Sequence, residues 1–118
     1  PTRRSSDLAH MDPAELDSIV QAVGLGKYTI NTITDYSRFK DALARIRETG
    51  YAIEDEEGEI GVRCIGSAIF DIEGKVAGAV SITALKSELT TDMFPFTGNK
   101  VRGTALAISR ALGHKEQV

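Results

Sequence analysis

The sequence predicts an α+β domain in which an antiparallel sheet is flanked by helices. Three observations carry this. Residues 61–85 alternate as two strands around a glycine-containing turn. Apolar residues at helical spacing stand before and after them. The strand residues cluster mid-chain instead of alternating with helices, which separates α+β from a parallel α/β sheet.

Each element has its own signal. Asp12-Pro13-Ala14-Glu15 opens a first helix, with Asp12 as cap and Pro13 at the first helical position. Leu16, Ile19, Val20 and Val23 form its stripe, and Gly24 ends it. A short extended stretch follows around Tyr28, Ile30 and Ile33. Thr34 or Asp35 starts a second helix with the stripe Tyr36, Phe39, Leu43 and Ile46, closed by Gly50. Its solvated face carries Lys40, Arg45, Arg47 and Glu48. Residues 51–54 form a short strand that leads into the acidic run Glu54, Asp55, Glu56, Glu57 and Glu59, which reads as a solvated turn. Hairpin strands are expected over 61–70 and 75–85. Phe94-Pro95-Phe96 breaks the chain before a last helix, whose stripe is Val101, Ala105, Ile108 and Leu112 and whose end is Gly113.

The hairpin is the informative part. Glu73-Gly74 reads as the turn, because glycine supplies the positive φ that hairpin turns need. Pairing Ile72 with Lys75 sets Phe70 opposite Ala77, Ala68 opposite Ala79, Gly66 opposite Ser81 and Cys64 opposite Thr83. One face then carries Ile65, Ile69, Val76, Val80 and Ile82, an oily core surface. The other carries a thiol and two hydroxyls among glycine and alanine, a roomy surface with convergent polar groups, as small-molecule sites are built. The bland alternative is that Cys64 is a small buried hydrophobe and that Ser81 and Thr83 face solvent. Glu54 precedes Cys64 closely enough to overhang the same face, where it can accept from a bound hydroxyl or hydrate.

Bulk properties narrow the function classes. The 118 residues suffice for one domain. A net charge of −3 and a pI near 5.4 argue against nucleic-acid binding by this segment. The single cysteine excludes an internal disulfide and fits a reducing cytoplasm. No apolar run approaches the length of a membrane span. No metal-ligand spacing and no phosphate loop are present, so neither a metal nor a cofactor is expected. His10 and His114 lie near the two ends and Arg63 points away from Cys64, so no constellation activates the thiol and an enzyme is not expected.

The first eight residues, PTRRSSDL, can be written back as CCT ACA CGA CGC TCT TCC GAT CT, which resembles a common short-read sequencing adapter. They read as non-native sequence. Without Arg3, Arg4 and Asp7, together +1, the net charge of −3 becomes −4. Residues 9–118 then read as the C-terminal part of a domain that is incomplete at its N-terminus. A three-stranded sheet with one small, polar face also looks unfinished.

The block GYAIEDEEGEIGVRCIGSAIFDIEGKVAGAVSIT resembles the effector-binding domain of IclR-type bacterial transcriptional regulators. The segments YTINTITD, LARIRETGYA and ALAISRALG are similar to family segments in the same order. The resemblance covers Leu25 to Gly113, with a weaker match over the first helix. It implies a GAF- or profilin-like sensor behind an N-terminal winged helix-turn-helix, which is absent here, and a homodimer or homotetramer in the full-length protein. It implies no enzyme, no membrane, and DNA contact only through the absent domain. The implied ligand is a small metabolite: a short carboxylic or oxo acid, or an aromatic compound. Carried over position by position, the ligand contacts are Glu54, Cys64, Ser81 and Thr83. Members with small-acid ligands commonly have Asp in place of Glu54 and Ser in place of Thr83. Both changes keep the functional group and add carbon, which implies a smaller or differently shaped pocket. A further family contact, a backbone amide, comes from a loop upstream of residue 9. The alternatives are a GAF-like sensor attached to another output, such as a kinase, or a small enzyme using Cys64.

Overall fold

The computed structural model describes residues 9–15 and 35–115. Helix α1 (Tyr36–Thr49) is followed by strands β1 (Ala52–Asp55), β2 (Val62–Phe70) and β3 (Val76–Leu85), a 3-10 turn (Thr91–Met93) and helix α2 (Phe94–Ala111). The strands form an antiparallel sheet in the order β1-β2-β3, which is the expected α+β arrangement. Residues 13–15 are helical, as the Asp12-Pro13 signal predicts. The stripe from Leu16 to Val23 and the extended stretch around Tyr28, Ile30 and Ile33 lie outside the described residues.

Helix α1 begins and ends where its sequence signals stand. Asp35 is extended, and its carboxylate accepts from the Ser37 amide at 2.9 Å. Gly50 takes the left-handed conformation at φ 84° and donates to the Ile46 carbonyl at 2.8 Å. Leu43 and Ile46 are buried with Ala9 and Ala52, and Phe39 and Met11 pack against them. This cluster ties α1 to β1.

Helix α2 lies on the other side of the sheet, where Ile65, Leu89 and Val101 are buried with Tyr51, Val80, Ala84 and Phe94 around them. Ile65 is 0% exposed, but its row neighbours Ile53 on β1 and Ile82 on β3 are 37% and 42% exposed. Ile82 was expected in the core. A helix about 10 Å wide seated over the middle of three strands spaced about 4.8 Å apart covers the centre and leaves the flanks open.

Two expectations about α2 need correction. Phe94-Pro95-Phe96 does not break the chain; it forms the first turn of the helix, where a proline loses no intrahelical hydrogen bond. The inward stripe is Gly98, Val101, Ala105 and Ser109. Ile108 and Leu112, expected inside, are 38% and 48% exposed. Serine takes the inward place because its hydroxyl has two partners there: it donates to the Ala105 carbonyl at 2.8 Å and accepts from the Phe70 amide at 2.9 Å.

The hairpin turn also differs from expectation. Asp71, not Ile72, pairs with Lys75: the Asp71 amide donates to the Lys75 carbonyl at 2.8 Å, and Gly74 N–H donates to the Asp71 carbonyl at 3.0 Å. The Asp71 carboxylate accepts from the amides of Glu73 and Lys75. Gly74 sits at φ 81°. Asp71 outcompetes Ile72 because its side chain can cap the turn from within. This shifts the pairing at the turn by one residue, so that Phe70 pairs with Val76 instead of Ala77. A β-bulge between Ile69 and Phe70 then restores the expected register, with Ala68 opposite Ala79, Gly66 opposite Ser81 and Cys64 opposite Thr83.

Candidate functional site

The register assembles the predicted residues on the sheet face away from α2. Glu54 is the strand partner of Cys64, and Cys64 is the partner of Thr83, so these three form one row across β1, β2 and β3. Ala52, Gly66 and Ser81 form the next row, and Ala68 and Ala79 continue the face. Facing partners stand about 5 Å apart, and successive rows on one face are about 7 Å apart. Ser81 is therefore a diagonal neighbour of Cys64 and directly precedes Thr83 on its strand face. The floor beside this row is glycine and alanine: Ala52, Gly66 and Ala68 are buried, Ala52 within the α1 cluster of Leu43, Ile46 and Ala9, while the row Glu54–Cys64–Thr83 stays accessible.

The Thr83 hydroxyl donates to Cys64 Sγ at 3.6 Å. A hydroxyl that donates in this way keeps its acceptor capacity. Glu54 and Thr83 are exposed, while Cys64 and Ser81 are half-buried. The Glu54 carboxylate leans over the turn: a Cβ built on Gly58 would stand 2.6 Å from its Oε1. A residue larger than glycine at 58 displaces that carboxylate. All four predicted residues thus share one face, three of them in a single row.

The rest of the acidic run is not simply solvated, contrary to expectation. Glu56 accepts from the Gly61 amide at 2.9 Å and pairs with Lys86 at 3.4 Å. Asp55 pairs with Arg63 at 2.8 Å, and Glu57 accepts from the Asp55 amide at 3.2 Å. These carboxylates close the β1–β2 turn from within. Burial pushes the Glu57 carboxyl above its ordinary range; the Asp55 amide opposes the rise, while the charges of Glu54 and Asp55 reinforce it.

Arg63 lies on the opposite face, as strand alternation requires. Its side chain is only 7% exposed. It also donates to the Leu89 carbonyl at 2.9 Å and stacks over Phe94 at 5.1 Å. It is a structural cation that does not activate Cys64. The sequence signal for it was an arginine in phase with Ile65. Ser67 is buried in the same phase and donates to the Gly50 carbonyl at 2.6 Å.

A shallow, solvent-open concavity of about 690 Å³ lies at the strand ends away from the turn, lined by Arg63, Leu85, Lys86, Ser87, Thr90 and Thr91 together with Gly61. It contains none of the four predicted residues. Its two cations are already engaged, Arg63 by Asp55 and Lys86 by Glu56. The four predicted residues lie together on the sheet face, outside this concavity. Among the described residues no group of histidine, cysteine and carboxylate side chains could hold a metal ion, and no helix is long and apolar enough to cross a membrane.

Comparison with known proteins agrees with this architecture. Residues 6–110 match the family model described as bacterial transcriptional regulator IclR C-terminal. The chain is 44% identical over 104 residues to the HTH-type transcriptional repressor AllR of Salmonella typhi, covering 88% of this chain and 38% of that protein. It therefore spans well under half the length of this relative. Among solved structures, Thermotoga maritima IclR superposes with a TM-score of 0.87 at 36% identity, over 93% of this chain and 44% of that one. The Agobacterium tumefaciens repressor BlcR gives 0.88 at 28% identity, over 95% and 45%. With the family model matched along most of its length, the chain belongs to the IclR family of bacterial transcriptional regulators and corresponds to their C-terminal domain.

Proposed function

We propose that this domain senses a small molecule on behalf of a DNA-binding regulator, and that the ligand lies over the sheet face carrying Glu54, Cys64, Ser81 and Thr83. The observation that carries the reading is the row Glu54–Cys64–Thr83 with Ser81 beside it, above a floor of glycine and alanine. A carboxylate, a thiol and two hydroxyls suit a small polar compound: a short carboxylic or oxo acid, or an aromatic compound with polar substituents. Glu54 accepts from a ligand hydroxyl or hydrate, and Ser81 and Thr83 orient the polar end.

Regulation follows from linkage. A ligand that prefers one arrangement of a homodimer or homotetramer shifts DNA affinity by that difference in binding free energy. DNA contact belongs to a helix-turn-helix in the part of such proteins that residues 9–118 do not span. The setting is the bacterial cytoplasm, and no step is catalytic.

The test uses the complete protein recovered from its genomic locus. Small carboxylic, oxo and aromatic acids are screened by thermal shift. A ligand at a hundred times its dissociation constant adds about 2.7 kcal/mol, which is readily visible. Ser81→Ala and Cys64→Ala should weaken every stabilising compound. Unchanged shifts in both variants sink the assigned site.

A further inference from the structure

We infer that Ser109, on the far side of the sheet from the candidate site, is the residue that holds the site in register. Its bearing on ligand binding rests on the function proposed above; the register itself does not. At the turn, Asp71 pairs with Lys75 and Phe70 with Val76. Extended without interruption, that pairing puts Cys64 opposite Ile82, a residue of the other face. The β-bulge inserts Ala77 as the one extra residue, and Cys64 meets Thr83 instead. The site therefore exists because of the bulge: a slip of one residue sends every side chain of β3 to the opposite face relative to β2.

The amide of Phe70, at the bulge, donates to the Ser109 hydroxyl at 2.9 Å, and that hydroxyl donates on to Ala105 of α2 at 2.8 Å. Ser109 is 1% exposed, so no solvent can replace it. Helix α2 thus carries a polar group aimed at the only register shift in the β2–β3 ladder. In the slipped register the bulge is gone and the hydroxyl loses its place. Ser109 is a positioning residue: it touches nothing on the site face, yet it selects which residue stands opposite Cys64.

Cys64 is the only cysteine in the chain, so cross-strand disulfide formation reads the register directly. Facing strand positions lie within the Cα range a disulfide spans. In the full chain, Thr83→Cys should crosslink to Cys64 under mild oxidation, and Ile82→Cys should not. Adding Ser109→Ala should shift the ratio of position-83 to position-82 crosslinking, read from the Thr83→Cys and Ile82→Cys variants, roughly tenfold toward position 82, the change in an equilibrium constant expected from one lost buried hydrogen bond. Hydrogen exchange at the Phe70 amide should quicken by about ten- to a hundredfold. Deleting Ala77 removes the extra residue, so it should restore the Thr83→Cys crosslink in the Ser109→Ala background. A ratio of position-83 to position-82 crosslinking that is unchanged by Ser109→Ala overturns the inference. If Ser109→Ala does not fold, the Ala77 deletion decides: recovery of fold and crosslink supports the inference, and no recovery refutes it. None of these readouts involves a ligand, so a failed ligand screen and a failed register test remain separate results.

Discussion

Two glycines in α2 should respond to the same substitution with opposite signs. Gly98 and Gly103 both lie in the interior of the helix. Replacing either with alanine gains about 0.5–1 kcal/mol of helix preference, because glycine loses more backbone freedom on folding. At Gly103 a new Cβ meets nothing within 4 Å, so the gain is realised in full. At Gly98 the Cβ would stand 2.3 Å from Cε1 and 2.5 Å from Cδ1 and Cζ of Tyr51. Three atoms of one ring are in the way, and the ring is packed against the buried cluster of Ile65, Leu89 and Val101. It cannot move without displacing that core, an overpacking cost of about 1–3 kcal/mol. Gly103→Ala should therefore raise stability by about 0.5–1 kcal/mol, and Gly98→Ala should lower it by up to about 2 kcal/mol after the helix gain is subtracted. Urea unfolding monitored by circular dichroism measures both, with an unchanged slope showing that the denatured state is the same. Equal stabilisation by the two substitutions would refute the argument that α2 sits on the sheet by a glycine-sized contact. A lifted α2 would also weaken the reach of Ser109 to the bulge, so the same variant tests whether helix seating and register are linked.

Glu57 and Arg63 supply two more tests. Because burial raises the Glu57 pKa, the folded state holds its proton more tightly than the unfolded state does, and this group's contribution to stability falls as pH rises through and above the ordinary carboxylate range. Glu57→Gln, which keeps an acceptor for the Asp55 amide, should be more stable than the parent at neutral pH, and the difference should vanish in acid. A difference that grows in acid would show the sign to be wrong. Arg63→Ala removes a buried ion pair and strands the Leu89 carbonyl. Asp55 is 45% exposed on its side chain and can rehydrate, so the cost should be about 2–3 kcal/mol by urea unfolding, below that of a fully buried pair. A cost under about 0.5 kcal/mol would place Arg63 among ordinary surface cations.

Much of the fold was legible because local signals agreed with one another. Asp35 and Gly50 bound α1 where their side-chain chemistry demands. The alternation of β2 placed Arg63 and Cys64 on opposite faces. The pairing of Cys64 with Thr83 was also legible, although for an incomplete reason: a turn read one residue out of place was offset by a bulge that the pattern did not reveal. The exposure of Ile82, Ile108 and Leu112 was not legible, because hydrophobic periodicity reports which face a residue occupies and not how far the covering element extends. The proline in Phe94-Pro95-Phe96 signals equally a break or a first turn, and only the packed helix distinguishes them.

The sequence by itself determined the α+β class, the ends of α1 and the set of polar side chains that strand alternation can bring to one face, because these depend on residues near each other in the chain. Tertiary structure decided the rest. It made Glu54 the strand partner of Cys64, turned the acidic run inward to close its own turn, and gave Ser109 in place of Ile108 the inward position on α2. Each of these depends on a hydrogen-bonding or charged group meeting a partner from another element, and a buried polar group takes its place according to the partner it finds there.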